Sequence, residues 1–201
     1  QVEAQHFGAR KHLLEYDDVM NKQRTEVYGW RRELLEGTHT REYVTQKAGE
    51  ILDWLLSLYA AAETDPNEWK SEEFKGQMLH HYNIRLEPGE PDFKKVKFED
   101  LRRILLDKIV RKYEEKEKLI GPEMMRRHEQ LIMLNIVDSS WKDHLLQMDH
   151  LKEGIGLRGY GQRDPLTEYK RESFDLLGSM KERIEDEIVR FLFYLEPVAQ
   201  E

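Results

Sequence analysis

The sequence predicts an all-α fold. Three observations lead there. Apolar residues recur at steps of three and four over long stretches, charged residues make up 36% of the chain, and mean hydropathy is -0.80. A strongly polar chain with helical apolar spacing reads as long helices that bury one stripe and wet the other face. The arrangement expected is one long helix, a region of shorter helices, and an antiparallel two-helix hairpin.

The first element is a proline-free helix over about 2–37, with Phe7, Leu13, Leu14, Val19 or Met20, Val27, Trp30 and Leu34 near helical spacing. Gly37 is its expected C-cap. At 1.5 Å per residue the helix is about 50 Å long, which suits a scaffold rod. Residue 1 reads as mid-helix and is not Met, which suggests a piece of something longer.

Shorter helices follow over 38–121. One covers about 40–62, with Tyr43, Ile51, Leu52, Leu55 and Tyr59 apolar. Asp65-Pro66, with Glu68 three residues after the cap, predicts a second over 66–82. Pro88, Gly89 and Pro91 demand a loop over 84–97. A third helix over 98–119 carries Leu101, Leu105, Ile109 and Tyr113 at four-residue steps, and Gly121-Pro122 ends the region.

The hairpin occupies 122–196. Its first arm carries Leu134, Val137, Trp141, Leu145, Met148 and Leu151. The second carries Phe174, Leu177, Met180, Ile184, Ile188, Phe191 and Leu195. These stripes are expected to pack antiparallel, with Trp30, Trp141, Leu145 and Met148 in the core. Asp164-Pro165 starts the second arm as a cap followed by proline, and 197–201 is a tail expected to fray. The connection holds Gly154, Gly156, Gly159 and Gly161 and presents Arg158, Tyr160 and Arg163. A tight helix–helix turn has no need of a large aromatic at its apex. Tyr160 therefore reads either as a contact residue or as a ring folded back onto the hairpin.

Charge narrows the partners. The net charge is -8, which disfavours a general nucleic-acid or anionic-membrane surface. Residues 152–171 are locally basic. Residues 63–73 are acidic, with Glu63, Asp65, Glu68, Glu72 and Glu73 against Lys70. The chain has no cysteine, so disulfides, thiolate catalysis and cysteine-ligated metals are excluded. No apolar run approaches the ~20 residues that span a bilayer.

Catalytic patterns are missing. There is no GxxxxGK[ST] loop and no HExxH, and no strand precedes the glycine-rich GIGLRGYG. His80-His81 are adjacent, point about 100° apart on a helix, and read as solvated surface. Asp138, Ser139, Ser140 and His144 have the residue types of a hydrolytic triad but no nucleophile elbow, and read as polar faces around a packed Trp141. Asp17 and Asp18 read as either solvated or facing basic groups of a partner.

Two strings carry a resemblance: RKHLLEYDDVMNKQR at 10–24 and LNIVDSSWKDHLLQMDHLKEGIGLRGYGQRDPLTEYKRESFDLL at 134–177. Together they resemble the C-terminal half of the SecA family of bacterial preprotein translocase motors. The resemblance implies a long helix of the helical scaffold domain over 1–37, a helical wing over 38–121 and a two-helix finger over 122–196. It also implies that the finger enters the SecYEG channel. Tyr160, flanked by Gly159 and Gly161 and aided by Arg158 and Arg163, would then touch the unfolded preprotein. The finger would restrain the ATPase when no substrate is engaged. Arg10, Lys11, Glu15, Asp17 and Asp18 are implied at the interface with the motor domains. ATP and Mg would belong to those motor domains, which this sequence lacks, as it lacks the preprotein-binding domain. The fragment alone is then expected to hold no cofactor and not to be an enzyme. The implied location is cytoplasmic and peripheral on the cytoplasmic face of the inner membrane. No nucleic-acid partner is implied, and an exposed motor-facing stripe allows a homodimer. The rival readings are a free-standing helical adaptor and a hydrolase built on His144.

Overall fold

A computed structural model describes residues 2–37, 39–87, 89–158 and 164–196, with side chains from residue 14 onward except those of 156–158. The described residues form six helices and no strand: α1 Val2–Glu36, α2 Thr40–Tyr59, α3 Ser71–Tyr82, α4 Phe98–Ile120, α5 Pro122–Arg158 and α6 Pro165–Tyr194. None is long and apolar enough to cross a membrane.

Several boundaries follow the expected chemistry. Gly37 closes α1 at φ 64° and Gly121 closes α4 at φ 91°, both in a region that penalises a Cβ. Asp164 caps α6, its Oδ2 accepting from Thr167 N at 3.0 Å and Thr167 Oγ1 at 2.7 Å. Other boundaries differ. Asp65-Pro66 does not open a helix. Asp65 Oδ1 accepts from Asn67 N at 2.8 Å, which closes a local turn, and α3 starts only at Ser71. Helix α2 stops at Tyr59 rather than residue 62. Helix α5 runs through Gly154 and Gly156 to Arg158, so the hairpin connection is shorter than its four glycines suggest.

The chain divides into two compact units. One contains Gln1–Glu36 with Leu134–Ile184, the other Gly37–Met133 with Glu185–Glu201. The division cuts α5 and α6 internally. The second unit buries Val44, Ala48, Leu52, Leu55 and Leu56 from α2, Phe74, Met78 and Tyr82 from α3, and Leu101, Leu105, Ile109 and Tyr113 from α4. Phe193 of α6 joins them, its ring 5.4 Å from Tyr82 and 6.1 Å from Tyr113. Each fully buried Val, Leu, Ile, Phe or Met among them stabilises by roughly 1.5–3 kcal/mol before ordering entropy is subtracted.

The hairpin stripes hold at Val137, Trp141, Met148 and Leu151 of α5 and at Leu177, Met180, Ile184 and Ile188 of α6, and depart at their other positions. Phe174 is 74% exposed and Phe191 53%. The buried positions on α6 are Tyr169, Ser173, Leu177, Met180, Ile184, Ile188, Val189, Leu192 and Phe193. On α5, Trp141 and Met148 are buried as expected, but Leu145 is only half-buried and His144 takes the inward position. Trp30 is also half-buried, and Leu14 is exposed.

His81 overturns the expected solvated pair. It is buried, and its Nδ1 lies 2.6 Å from Asp186 Oδ1, while His80 stays on the surface. Burial pushes the Asp186 carboxyl up, but His81, Arg190 and His80 outweigh it and hold it below the usual carboxylate range.

Candidate functional site: the three-helix joint of the hairpin

Within the first unit, α1 lies against both hairpin arms. Val19 and Val27 stand four residues either side of Gln23, which places a polar amide on the inner stripe of α1. Gln23 is 5% exposed and spends both ends of its amide. Its Nε2 donates to the Ser173 carbonyl of α6 at 3.0 Å. Its Oε1 lies 2.7 Å from His144 Nε2 of α5, so that nitrogen carries the proton and donates. One side chain thus joins three helices inside an apolar seam.

His144 is fully buried, and the Trp141 ring stacks on it with centroids 5.5 Å apart. Burial, then the nearby Arg183, pushes the imidazole below its ordinary pKa, so the ring is held neutral. Nδ1 has no hydrogen-bond partner. Of the triad types, Asp138 is taken by Arg31, Ser139 is exposed, Ser140 is buried, and His144 Nε2 faces the Gln23 amide. This geometry gives a hydrolase reading no support, because neither nitrogen of the candidate base is hydrogen-bonded to a hydroxyl.

Further contacts brace the stem. The Arg31 fork meets Asp138 at 2.7 and 3.1 Å and holds that carboxyl below its usual range. Lys181 of α6 pairs with Glu26 of α1. Toward the tip, Met148, Leu151, Ile155 and Tyr169 form a cluster against Tyr16, Val19, Met20 and Leu176. Tyr16 and Tyr169 pack ring to ring at 4.7 Å.

The residues expected to act are only partly visible. Gly159, Tyr160, Gly161 and Arg163 lie outside the described residues, as do the side chains of Arg158, Arg10 and Lys11. Asp17 is exposed and sits 3.5 Å from Lys152 of α5. Asp18 is exposed and Glu15 half-buried. Among the described residues no group of three or more His, Asp or Glu is placed to hold a metal ion.

The family model described as "SecA Wing and Scaffold domain" matches residues 1–196. The chain belongs to the SecA wing and scaffold family. It is 50% identical over 198 residues to the protein translocase subunit SecA of Koribacter versatilis, covering 97% of this chain and 20% of that relative. The SecA of Solibacter usitatus is 44% identical over 195 residues, again covering 97% of this chain and 20% of the relative. That of Acidobacterium capsulatum is 46% identical over 198 residues, covering 98% and 20%. The chain therefore spans about a fifth of the length of these SecA relatives.

The sequence reading missed Gln23, Ser173, His81 and Asp186. Gln23 had a legible signal, a polar residue interrupting the α1 stripe between Val19 and Val27. Ser173 carries no such signal, since its apolar neighbour Phe174 fits the helical spacing as well.

Proposed function

We propose that this chain is the scaffold and wing part of an ATP-driven bacterial protein translocase. It transmits movement of motor domains outside the chain to a preprotein in the SecYEG channel, with Tyr160 at the working tip. The observation that carries the reading is the three-helix joint at Gln23. A hairpin whose two arms are both held by a long helix is a stiff lever, and a stiff lever can carry a displacement from one end to the other. The tip chemistry suits an unfolded client, which offers no fixed sequence. A tyrosine meets apolar side chains through its ring and backbone amides through its hydroxyl. Gly159 and Gly161 keep the tip narrow, and Arg158 and Arg163 would engage acidic groups of channel or client.

Arg10, Lys11, Glu15, Asp17 and Asp18 would face the motor domains, where ATP and Mg would be held. This sequence has no GxxxxGK[ST] loop of its own. The stem would also restrain ATP hydrolysis until a client is engaged. Work at the cytoplasmic face of the inner membrane follows from such a role.

The test uses the absence of cysteine. A single cysteine replaces Tyr160 in a cysteine-free parent motor, and crosslinking to a stalled preprotein is scored. A crosslink that requires ATP and client is expected. Reaction only at cysteines on the outer faces of the arms would reduce the tip to a turn and the chain to a passive scaffold.

A further inference from the structure

Helix α2 carries two large apolar residues that its own core does not use. Trp54 is 56% exposed and Leu58 51% exposed, one helical turn apart on the same outward row. The inward row of α2 is already filled by Val44, Ala48, Leu52, Leu55 and Leu56. Folding does not require Trp54, and an exposed tryptophan is among the side chains that contribute most when a partner covers it.

The charge at the carboxyl end of this row is mostly negative, while Asp53 beside Trp54 is paired with Arg102 at 2.6 Å. Lys70 N donates to the Tyr59 carbonyl at 2.8 Å, and the Trp69 indole donates to the carbonyls of Ala61 at 3.1 Å and Thr64 at 3.2 Å. These bonds fold residues 60–70 back onto the carboxyl end of α2. The acidic run thereby arrives at the same end as Leu58, with Glu63, Asp65 and Glu68 exposed and Lys70 their basic neighbour. The last carbonyls of α2 add partial negative charge there. An aromatic and an aliphatic side chain beside concentrated negative charge complement a segment that is both apolar and basic.

We propose that Trp54 and Leu58, at the acidic end of α2, dock a short peptide segment carrying Lys or Arg among large apolar side chains. This site goes beyond the hairpin reading and does not depend on it. Binding is measured directly, without transport or ATP hydrolysis.

The probe is a fluorescein-labelled peptide of about 12 residues with alternating Lys and Leu, titrated by anisotropy against the full chain. Saturable binding is expected, weakening as salt rises above about 0.1 M, where the screening length falls below about 10 Å. Trp54→Ser/Leu58→Ser is expected to weaken it at least about tenfold, as loss of an interface anchor does. Glu63→Lys/Glu68→Lys is expected to abolish it. Neither pair touches the core, and unchanged helical circular dichroism checks that both variants fold. The proposal is overturned if the peptide does not bind, if Trp54→Ser/Leu58→Ser binds it as well as the parent, or if a Glu/Leu peptide binds equally. Self-association lost in that variant would make the face a contact between copies. Capture by anionic vesicles through Trp54 would make it a membrane contact. Either result would also sink the proposal.

Discussion

Gln23 serves both His144 and Ser173 from one side chain. Gln23→Leu keeps the volume but strips the acceptor from a buried N–H and the donor from a buried carbonyl. A loss of about 1–3 kcal/mol in chemical denaturation is expected. His144 gives the seam a pH dependence. Its folded pKa lies below the ordinary value of 6.5, so the unfolded chain takes up the proton first as pH falls. This contribution to stability is present above about pH 6.5 and lost as pH drops toward the folded value. His144→Gln retains a donor for Gln23 and removes the titration. Its denaturation midpoint should change less between about pH 7.5 and 5.5 than the parent's does. Such residues are hard to see in a sequence. A buried histidine and an exposed one have the same neighbours in the string, and only the partner decides. His81 was read as surface because Asp186 is over a hundred positions away.

At the scale of an element, the ends of helices were the most legible feature wherever the side chain had a single use. Asp164-Pro165 opens α6 as read, since the Asp164 carboxylate finds Thr167. Asp65-Pro66 has the same letters, but its carboxylate closes on Asn67, and the tertiary anchor of Trp69 takes over the segment. The far end of α6 is served from outside its own sequence. Lys116 of α4 donates to the carbonyls of Leu192 at 3.1 Å and Phe193 at 2.6 Å. Burial, then Lys112, pushes the Lys116 ammonium down to about 8. The unfolded lysine holds its proton to about 10.5, so the fold gains stability as pH rises from about 8 to 10.5. Lys116→Met should flatten stability across that window, as measured by denaturation at stepped pH. An unchanged slope would assign the effect to other groups.

For the whole molecule, the all-α class and the order of long helix, short helices and hairpin were readable because they rest on periodicity alone. The division into compact units was not. Each hairpin arm supplies residues to both units, and a helical repeat carries no mark of which neighbour its stripe will meet. The buried network shows the difficulty. Glu129 of α5 is fully buried, accepts from the Tyr113 hydroxyl of α4 and is met by Arg126 at 2.8 Å, although its position in the string is that of a surface glutamate. The lever reading makes a prediction at this scale. A flexible Gly-rich insertion after Leu145 in α5, made in the parent motor, should leave ATP hydrolysis running while preprotein transported per ATP falls. Transport at normal yield would show that stiffness of the arm is irrelevant.

The joint at Gln23 also sets the kind of movement the stem can make. Sliding α5 along α1 by one turn would carry His144 about 5.4 Å from the amide that receives its proton. The same slide by α6 would strip Ser173 from the other end. A small rotation about Gln23, in contrast, moves both partners little, because they lie within 3.0 Å of it. The amide is a fulcrum: it forbids ratcheting of one helix past another and leaves pivoting as the inexpensive motion.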